Sequence, residues 1–91
     1  MKNATQYTVD DNVATCLEPV KAGDTVRTQY KSVRAVENIP VYHKLAVCAL
    51  EMSEPVKKYG EIIGMATAAI PAGAHVHIHN MESQRGRGDR K

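Results

Sequence analysis

Apolar and polar positions alternate along this chain in short stretches, and turn-forming residues separate them. Gln6-Tyr7-Thr8-Val9 is strand-like, Thr25 to Tyr30 reads as a half-exposed strand, and Lys31 to Val36 continues it with Val33 and Val36 as weaker apolar points. His75-Val76-His77-Ile78-His79-Asn80 alternates strictly. Leu45-Ala46-Val47-Cys48-Ala49-Leu50 is continuously apolar, which suits a buried strand or a short buried helix; its valine and the nearby prolines favour the strand. Glu61 to Ile70 carries Ile62, Ile63, Met65 and Ala66 and is interrupted by Gly64, which predicts a bulge or a close backbone approach. Asp10-Asp11-Asn12 offers N-caps for a short helix through Val13, Ala14 and Leu17 that ends before Pro19. Turn signals at Pro19 to Gly23, Pro40, Pro55 to Gly60 and Pro71 to Gly73 recur roughly every 15–20 positions, the punctuation of a mostly β domain with one or two short helices.

There is an internal echo. Val20-Lys21-Ala22-Gly23-Asp24-Thr25-Val26 resembles Ile70-Pro71-Ala72-Gly73-Ala74-His75-Val76, and Ile39-Pro40-Val41-Tyr42-His43-Lys44-Leu45 is a looser third copy without the glycine. The shared form is a turn leading into a strand; the copies are too few and too unevenly spaced for a solenoid.

Composition narrows the picture. At 91 residues and 10.0 kDa the chain is one small domain. Phe and Trp are absent and Tyr occurs four times, so the core is built from Val, Ile, Leu, Ala and Met, and a base-stacking platform for nucleic acid is excluded. Glu82 to Lys91 carries Arg85, Arg87, Arg90 and Lys91 against Glu82 and Asp89, which accounts for the whole formal charge of +2. The expectation is a neutral folded body, residues 1–81, followed by a basic disordered tail, 82–91, and no nucleic-acid partner. Cys16 and Cys48 have no zinc-finger spacing, no secretory segment follows Met1, and no run reaches the length of a membrane span, so a cytoplasmic chain with free thiols is expected. Arg87-Gly88-Asp89 and the Arg-Gly pairs before it are too short to carry a function.

Candidate chemistry sits in three places. On a strand His75, His77 and His79 would share one face, with Val76 and Ile78 on the core side, and two neighbouring imidazoles could converge on one ion. A ligand-free polar sheet face, a metal site and direct acid–base contact with a substrate all fit this pattern. Imidazole suits Fe, Mn, Zn, Ni or Cu, so ligand type does not choose among them. His43-Lys44, after Tyr42, opens the most apolar run; it fits either an exposed turn or a carboxylate clamp with a proton-transfer histidine. Lys57-Lys58-Tyr59-Gly60 is either a solvated turn or an anion-binding one. The chain carries no phosphate-binding glycine loop, no Ser/His/Asp order and no nucleophile elbow.

Four blocks in order complete the reading: Glu37-Asn38-Ile39-Pro40-Val41-Tyr42-His43-Lys44-Leu45-Ala46, Glu54-Pro55-Val56-Lys57-Lys58-Tyr59-Gly60, Ile62-Ile63-Gly64-Met65-Ala66, and Ile70 to Asn80. With the opening Asp10-Asp11-Asn12-Val13-Ala14, they resemble the N-terminal SAF domain of the altronate/galactarate dehydratase family over about Tyr7 to Asn80. The resemblance implies a β-clip fold, small and barrel-like. It implies the small subunit, or leading domain, of a metal-dependent lyase that works by β-elimination on a sugar acid or 2-hydroxy acid, as in altronate or galactarate dehydratases and sulfolactate sulfo-lyases. The cofactor would be a divalent metal, iron or manganese, and the partner a large dehydratase or lyase subunit, without which the chain is inactive and self-associates.

The matching positions are His43, Lys44, Lys58, Tyr59, Gly60, Gly64, His77, His79 and Asn80. His77 and His79 are then expected at the metal or as acid and base, and His43 as a proton shuttle. Lys44, Lys58, Tyr59 and Asn80 would bind the substrate, and Gly60 and Gly64 are structural. Val41-Tyr42 replaces the family's usual Ala-Gly and makes the turn before His43 bulkier, and His75 varies in the family, so His77 and His79 stand ahead of it. The competing class is a non-catalytic acid-binding or assembly module of the SAF or antifreeze-like kind, which gives no reason for a His-x-His-Asn strand.

Overall fold

The computed structural model describes residues 2–83, and all of its regular structure is β. The strands are β1 (Ala4–Thr5), β2 (Val13–Cys16), β3 (Thr25–Arg27), β4 (Ser32–Arg34), β5 (Lys44–Ala46), β6 (Pro55–Lys58), β7 (Glu61–Ala66), β8 (His75–Val76) and β9 (Met81–Ser83). They form a four-stranded antiparallel sheet in the order β1-β2-β5-β8, the hairpin β3-β4 and the three-stranded sheet β6-β7-β9, with no closed barrel.

Register fixes what each face of the central sheet carries. Ala14 lies opposite Leu45 and Leu45 opposite His75; Thr15 lies opposite Lys44 and Lys44 opposite Val76. Cross-strand partners share a face and successive residues change face. Ala14, Leu45 and His75 therefore look one way, and Val13, Lys44, Ala46 and Val76 the other. The core divides accordingly. Ala14, Cys16 and Leu45 pack with Val26 and Ile39, while Val13, Ala46 and Val76 pack with Leu50, Val56 and Ile70. Each side of the sheet is thus covered by one hairpin.

The echo in the sequence is a structural duplication. Val20 and Ile39 exchange backbone hydrogen bonds of 2.9 and 2.8 Å, and Leu50 and Ile70 exchange two of 2.8 Å. The second pair repeats the first 30 and 31 positions later. After each of the four comes a turn closed by a backbone bond: Asp24 to Lys21, His43 to Pro40, Glu54 to Glu51 and Ala74 to Pro71. The third turn residue has positive φ in every case: Gly23 (94°), Tyr42 (68°), Ser53 (74°) and Gly73 (88°), the mark of a type II turn. At Gly73 there is a second demand, since a Cβ would run into the carbonyl oxygen of Arg34. Gly64 shows both features expected of it. The β6–β7 register shifts beside it, between Val56 and Lys57, and a Cβ would strike the Glu82 carbonyl of β9.

Several expectations are corrected. Among the described residues there is no helix; the stretch after Asp10-Asp11-Asn12 is β2, because the Asp11 and Asn12 side chains bind distant backbone instead of capping the turn that follows them. Asn12 Nδ2 donates to the Pro55 carbonyl (2.9 Å), and its Oδ1 accepts the Lys57 N–H (2.8 Å). Gln6 to Val9 is not a strand. Its backbone turns, with Asp11 N–H donating to the Thr8 carbonyl, and the buried Gln6 amide caps the Thr8 and Asp11 carbonyls. The strand predicted over His75 to Asn80 stops at Val76, and Ile78 is 82% exposed rather than in the core. Glu82 and Ser83 pair with Met65 and Gly64, so strand pairing runs two residues past the boundary drawn at Met81; residues 84–91 of the expected tail lie outside the described residues.

Both cysteines are free, Cys16 buried and Cys48 partly so, and burial pushes the Cys16 thiol up to about 11. Among the described residues no helix is long and apolar enough to cross a membrane.

Candidate functional site

Three of the histidines meet at one end of the central sheet. His43 closes the Pro40–His43 turn. Its carbonyl accepts the Cys16 N–H (2.9 Å) and the preceding Tyr42 N–H donates to the Cys16 carbonyl (2.7 Å), which pins the turn to β2. Tyr42 adopts the left-handed conformation normally left to glycine, at a cost on the order of 1 kcal/mol. His75 opens β8, and its N–H donates to Glu37 Oε2 (3.0 Å). His77 stands in the turn that follows, closed by Asn80 N–H on the His77 carbonyl (3.1 Å).

The Asn80 side chain works at both ends of that turn. Its Oδ1 accepts the His77 N–H (2.9 Å) and its Nδ2 donates to the His75 carbonyl (2.8 Å). The Asn80 side chain, reaching back to the main chain on either side of Val76, therefore sets the spacing of the two histidines, where strand pleating had been expected to.

His43 Nδ1 and His75 Nε2 are 2.8 Å apart. The His43 and His77 rings stack at 4.6 Å, and His75 and His77 lie 5.3 Å apart with planes within 11°. One ring nitrogen from each of His43, His75 and His77 falls within 4.8 Å of the others. His79 is exposed, and its ring lies 5.4 Å from that of His75. Burial lowers the basicity of His75, and the neighbouring His43, His77 and His79 lower it further against a small opposing pull from Glu37. His77 is lowered by burial, then by His43, Lys44 and His79. Both rings therefore favour the neutral form, whose free nitrogen lone pair can take a proton or a metal ion.

Lys44 acts on the cluster through His77, and Lys58 acts in turn on Lys44. Lys44 of β5 is half-buried, and burial followed by the charge of Lys58 lowers its pKa. Across the ladder from it lies Thr15, whose Oγ1 is buried without a hydrogen-bond partner. Lys58 Nζ sits 5.0 Å from the Tyr59 ring centre and 5.7 Å from that of Tyr7, with the two tyrosine rings 4.4 Å apart.

Tyr59 (φ 62°) and Gly60 (φ 74°) make the two-residue tip of the β6–β7 hairpin. Asp11 ties that tip down. Its Oδ2 accepts the N–H groups of Tyr59 (3.0 Å) and Thr8 (3.2 Å), and its Oδ1 those of Gly60 (2.8 Å) and the Thr8 hydroxyl (2.7 Å). Burial raises the Asp11 pKa, but the bonds from Thr8, Gly60 and Tyr59 outweigh it and hold the carboxyl below its usual value.

Of the residues singled out in the sequence, His43 and His77 come together, with Lys44 acting on His77. Lys58 and Tyr59 form a second group with Tyr7. His79 stands outside the tight cluster, and the Asn80 side chain is engaged with backbone. The sequence puts His77 and His79 ahead of His75, whereas the structure brings His75 to His43 and His77; neither Tyr7 nor Asp11 is among the residues the sequence marks for chemistry. The alternating histidines were the available signal for His75; nothing local ties Tyr7 or Asp11 to the β6–β7 tip, which lies about 50 positions away.

The chain is similar to the altronate dehydratase of Bacillus subtilis (strain 168), 29% identical over 83 residues that make up 91% of this chain and 17% of that protein. It is 39% identical to the altronate dehydratase of Escherichia coli (strain K12) over 70 residues, 77% of this chain and 14% of that one. It is also 45% identical over 47 residues to the (2R)-sulfolactate sulfo-lyase subunit alpha of Chromohalobacter salexigens, covering 52% of this chain and 50% of that subunit. The chain thus spans less than a fifth of the length of the altronate dehydratases it matches. The profile of the altronate/galactarate dehydratase SAF domain matches residues 2–84, nearly the whole sequence, and the chain belongs to that family.

Proposed function

We propose that this chain is the SAF part of a cytoplasmic lyase, a small subunit that works with a large dehydratase or lyase subunit to eliminate water or sulfite from a sugar acid or 2-hydroxy acid. The observation that carries the reading is the joining of the His43, His75 and His77 rings beside Lys44.

Such an elimination removes a proton next to a carboxylate and must stabilise the enediolate that develops. Lys44 and Lys58, near enough for the charge of one to act on the other, supply the cations for the acid group, with the Tyr7–Tyr59 pair beside Lys58. The exposed His79, its ring 5.4 Å from that of His75 and outside the tight cluster, accepts or returns a proton at the reacting carbon or the leaving group. Asn80 and Glu37 hold the histidine backbone in place through the cycle.

The imidazole donor set fits a divalent transition ion, and iron suits it better than manganese, which favours oxygen ligands. Such an ion would supply Lewis-acid stabilisation of the enediolate. A second reading, a non-catalytic acid-binding or assembly module, is favoured by the exposed Tyr42 (74%) and Ile78 (82%), which flank His43 and His77 as a contact rim.

The test is co-expression with the large subunit and assay for elimination. His43→Ala and the His77→Ala/His79→Ala double variant should each lower kcat by about 100-fold or more, with the complex intact. Full activity in both variants would leave the module reading standing.

A further inference from the structure

We propose that His43, His75 and His77 form a three-imidazole site for one divalent late-transition ion, complete on this chain and independent of His79. The inference deepens the lyase reading by naming the ligands and the class of ion, and it is tested on the isolated chain so that the two can fail separately.

Convergence is the first argument. Nitrogens bound to one ion at roughly 2.0–2.1 Å lie about 3.0–3.4 Å apart. His43 Nδ1 and His75 Nε2 are already 2.8 Å apart, and the His77 nitrogen lies within 4.8 Å of both, which small ring rotations can close. The second argument is preorganisation. The bonds that fix these residues use their backbone: Cys16 on His43, Glu37 and Asn80 on His75, and Asn80 on His77. Little ordering remains to be done when an ion enters.

The third argument is donor chemistry. The cluster brings three imidazole nitrogens and no carboxylate. Such a set follows the order of transition-metal affinities, favouring Zn, Cu, Ni and Co, then Fe, over Mn, and discriminates against Mg and Ca. Three protein ligands leave a position open, the arrangement of catalytic rather than structural sites. Lys44, whose charge reaches His77, stands ready for an anion bound at that open position.

His79 offers the contrast. It is exposed and meets only the outer side of the trio, through His75. A pairing of His77 with His79, the natural reading of the alternating sequence, is therefore replaced by a trio drawn from two turns far apart in the chain.

The experiment titrates the 91-residue chain with Zn(II), Co(II) and Mn(II) at neutral pH, reading heat and, for Co(II), the visible absorption of its nitrogen-bound form. One equivalent of Zn(II) should bind with a Kd in the micromolar range or tighter, and Mn(II) at least about 100-fold more weakly. His43→Ala, His75→Ala and His77→Ala should each weaken Zn(II) by at least about tenfold, and His79→Ala by less than about threefold. A variant that fails to fold is replaced by a mapping on the wild-type chain: Zn(II) should protect residues 43, 75 and 77, but not 79, from acylation by diethyl pyrocarbonate. The inference is overturned if the folded chain binds no Zn(II), if Mn(II) binds equally well, or if His79 matters or is protected as much as His75. Binding by the chain together with an inactive complex would sink the lyase reading alone. An active complex whose small subunit binds no ion would sink this inference alone.

Discussion

The buried carboxylate of Asp11 gathers donors from two separate loops, those of Thr8 and of Tyr59–Gly60. Asp11→Ala leaves these N–H groups without their acceptor and should cost about 2–4 kcal/mol in urea unfolding, with Asp11→Asn costing less. The same carboxyl makes stability depend on acid. Its folded pKa lies below the unfolded value of 3.8, so the unfolded chain takes up the proton first. The contribution is whole above that value and falls as pH drops beneath it, more steeply in the wild type than in Asp11→Asn.

Cys16 acts at the other end of the scale. Its thiol is raised from 9.0 to about 11, so the folded chain keeps a proton that the unfolded chain loses. Stability is unaffected below pH 9 and should decline by roughly 2–3 kcal/mol towards pH 11, a slope that Cys16→Ala removes. Matching slopes in the two proteins would refute this. At this scale the sequence marked Asp11 and Asn12 as residues that bind backbone, and they do. It assigned them to the wrong backbone, because local pattern carries no information about Pro55, Lys57, Tyr59 or Gly60.

Among the elements, the strands are two to six residues long and the turns between them carry much of the specification. Gly23 and Gly73 occupy equivalent turns with similar φ, yet only Gly73 is crowded. Gly23→Ala should cost about 1 kcal/mol for its backbone conformation. Gly73→Ala should cost clearly more, about 2–3 kcal/mol or above, since the Arg34 carbonyl must also move. Equal losses in urea unfolding would show that crowding at Gly73 is relieved without cost. The β content was legible from the short alternating runs and regular turn signals. The histidine strand was read too long because period two continues in the sequence after the backbone has turned. Val76 is buried and Ile78 is not, and Asn80 is the residue that makes the difference.

On the scale of the molecule, two similar halves cover opposite faces of one sheet. Three of the four repeated turns could be seen in the sequence. The fourth, Leu50-Glu51-Met52-Ser53-Glu54, could not, because Ser53 takes a φ of 74° with neither the glycine of the first and last copies nor a proline such as Pro40 to announce the turn. The duplication explains how so short a chain, with neither Phe nor Trp, builds two packed clusters from Val, Ile, Leu and Ala. It also explains why the candidate site lies at a junction: His43 ends the loop that leaves the first half, and His75 and His77 follow the corresponding loop of the second.

Asn80 clasps the main chain on both sides of Val76, so the separation of residues 75 and 77 is written into a single loop of this domain. Whatever meets that corner finds the main-chain anchor points of both imidazoles already set, and only the rings are left to turn.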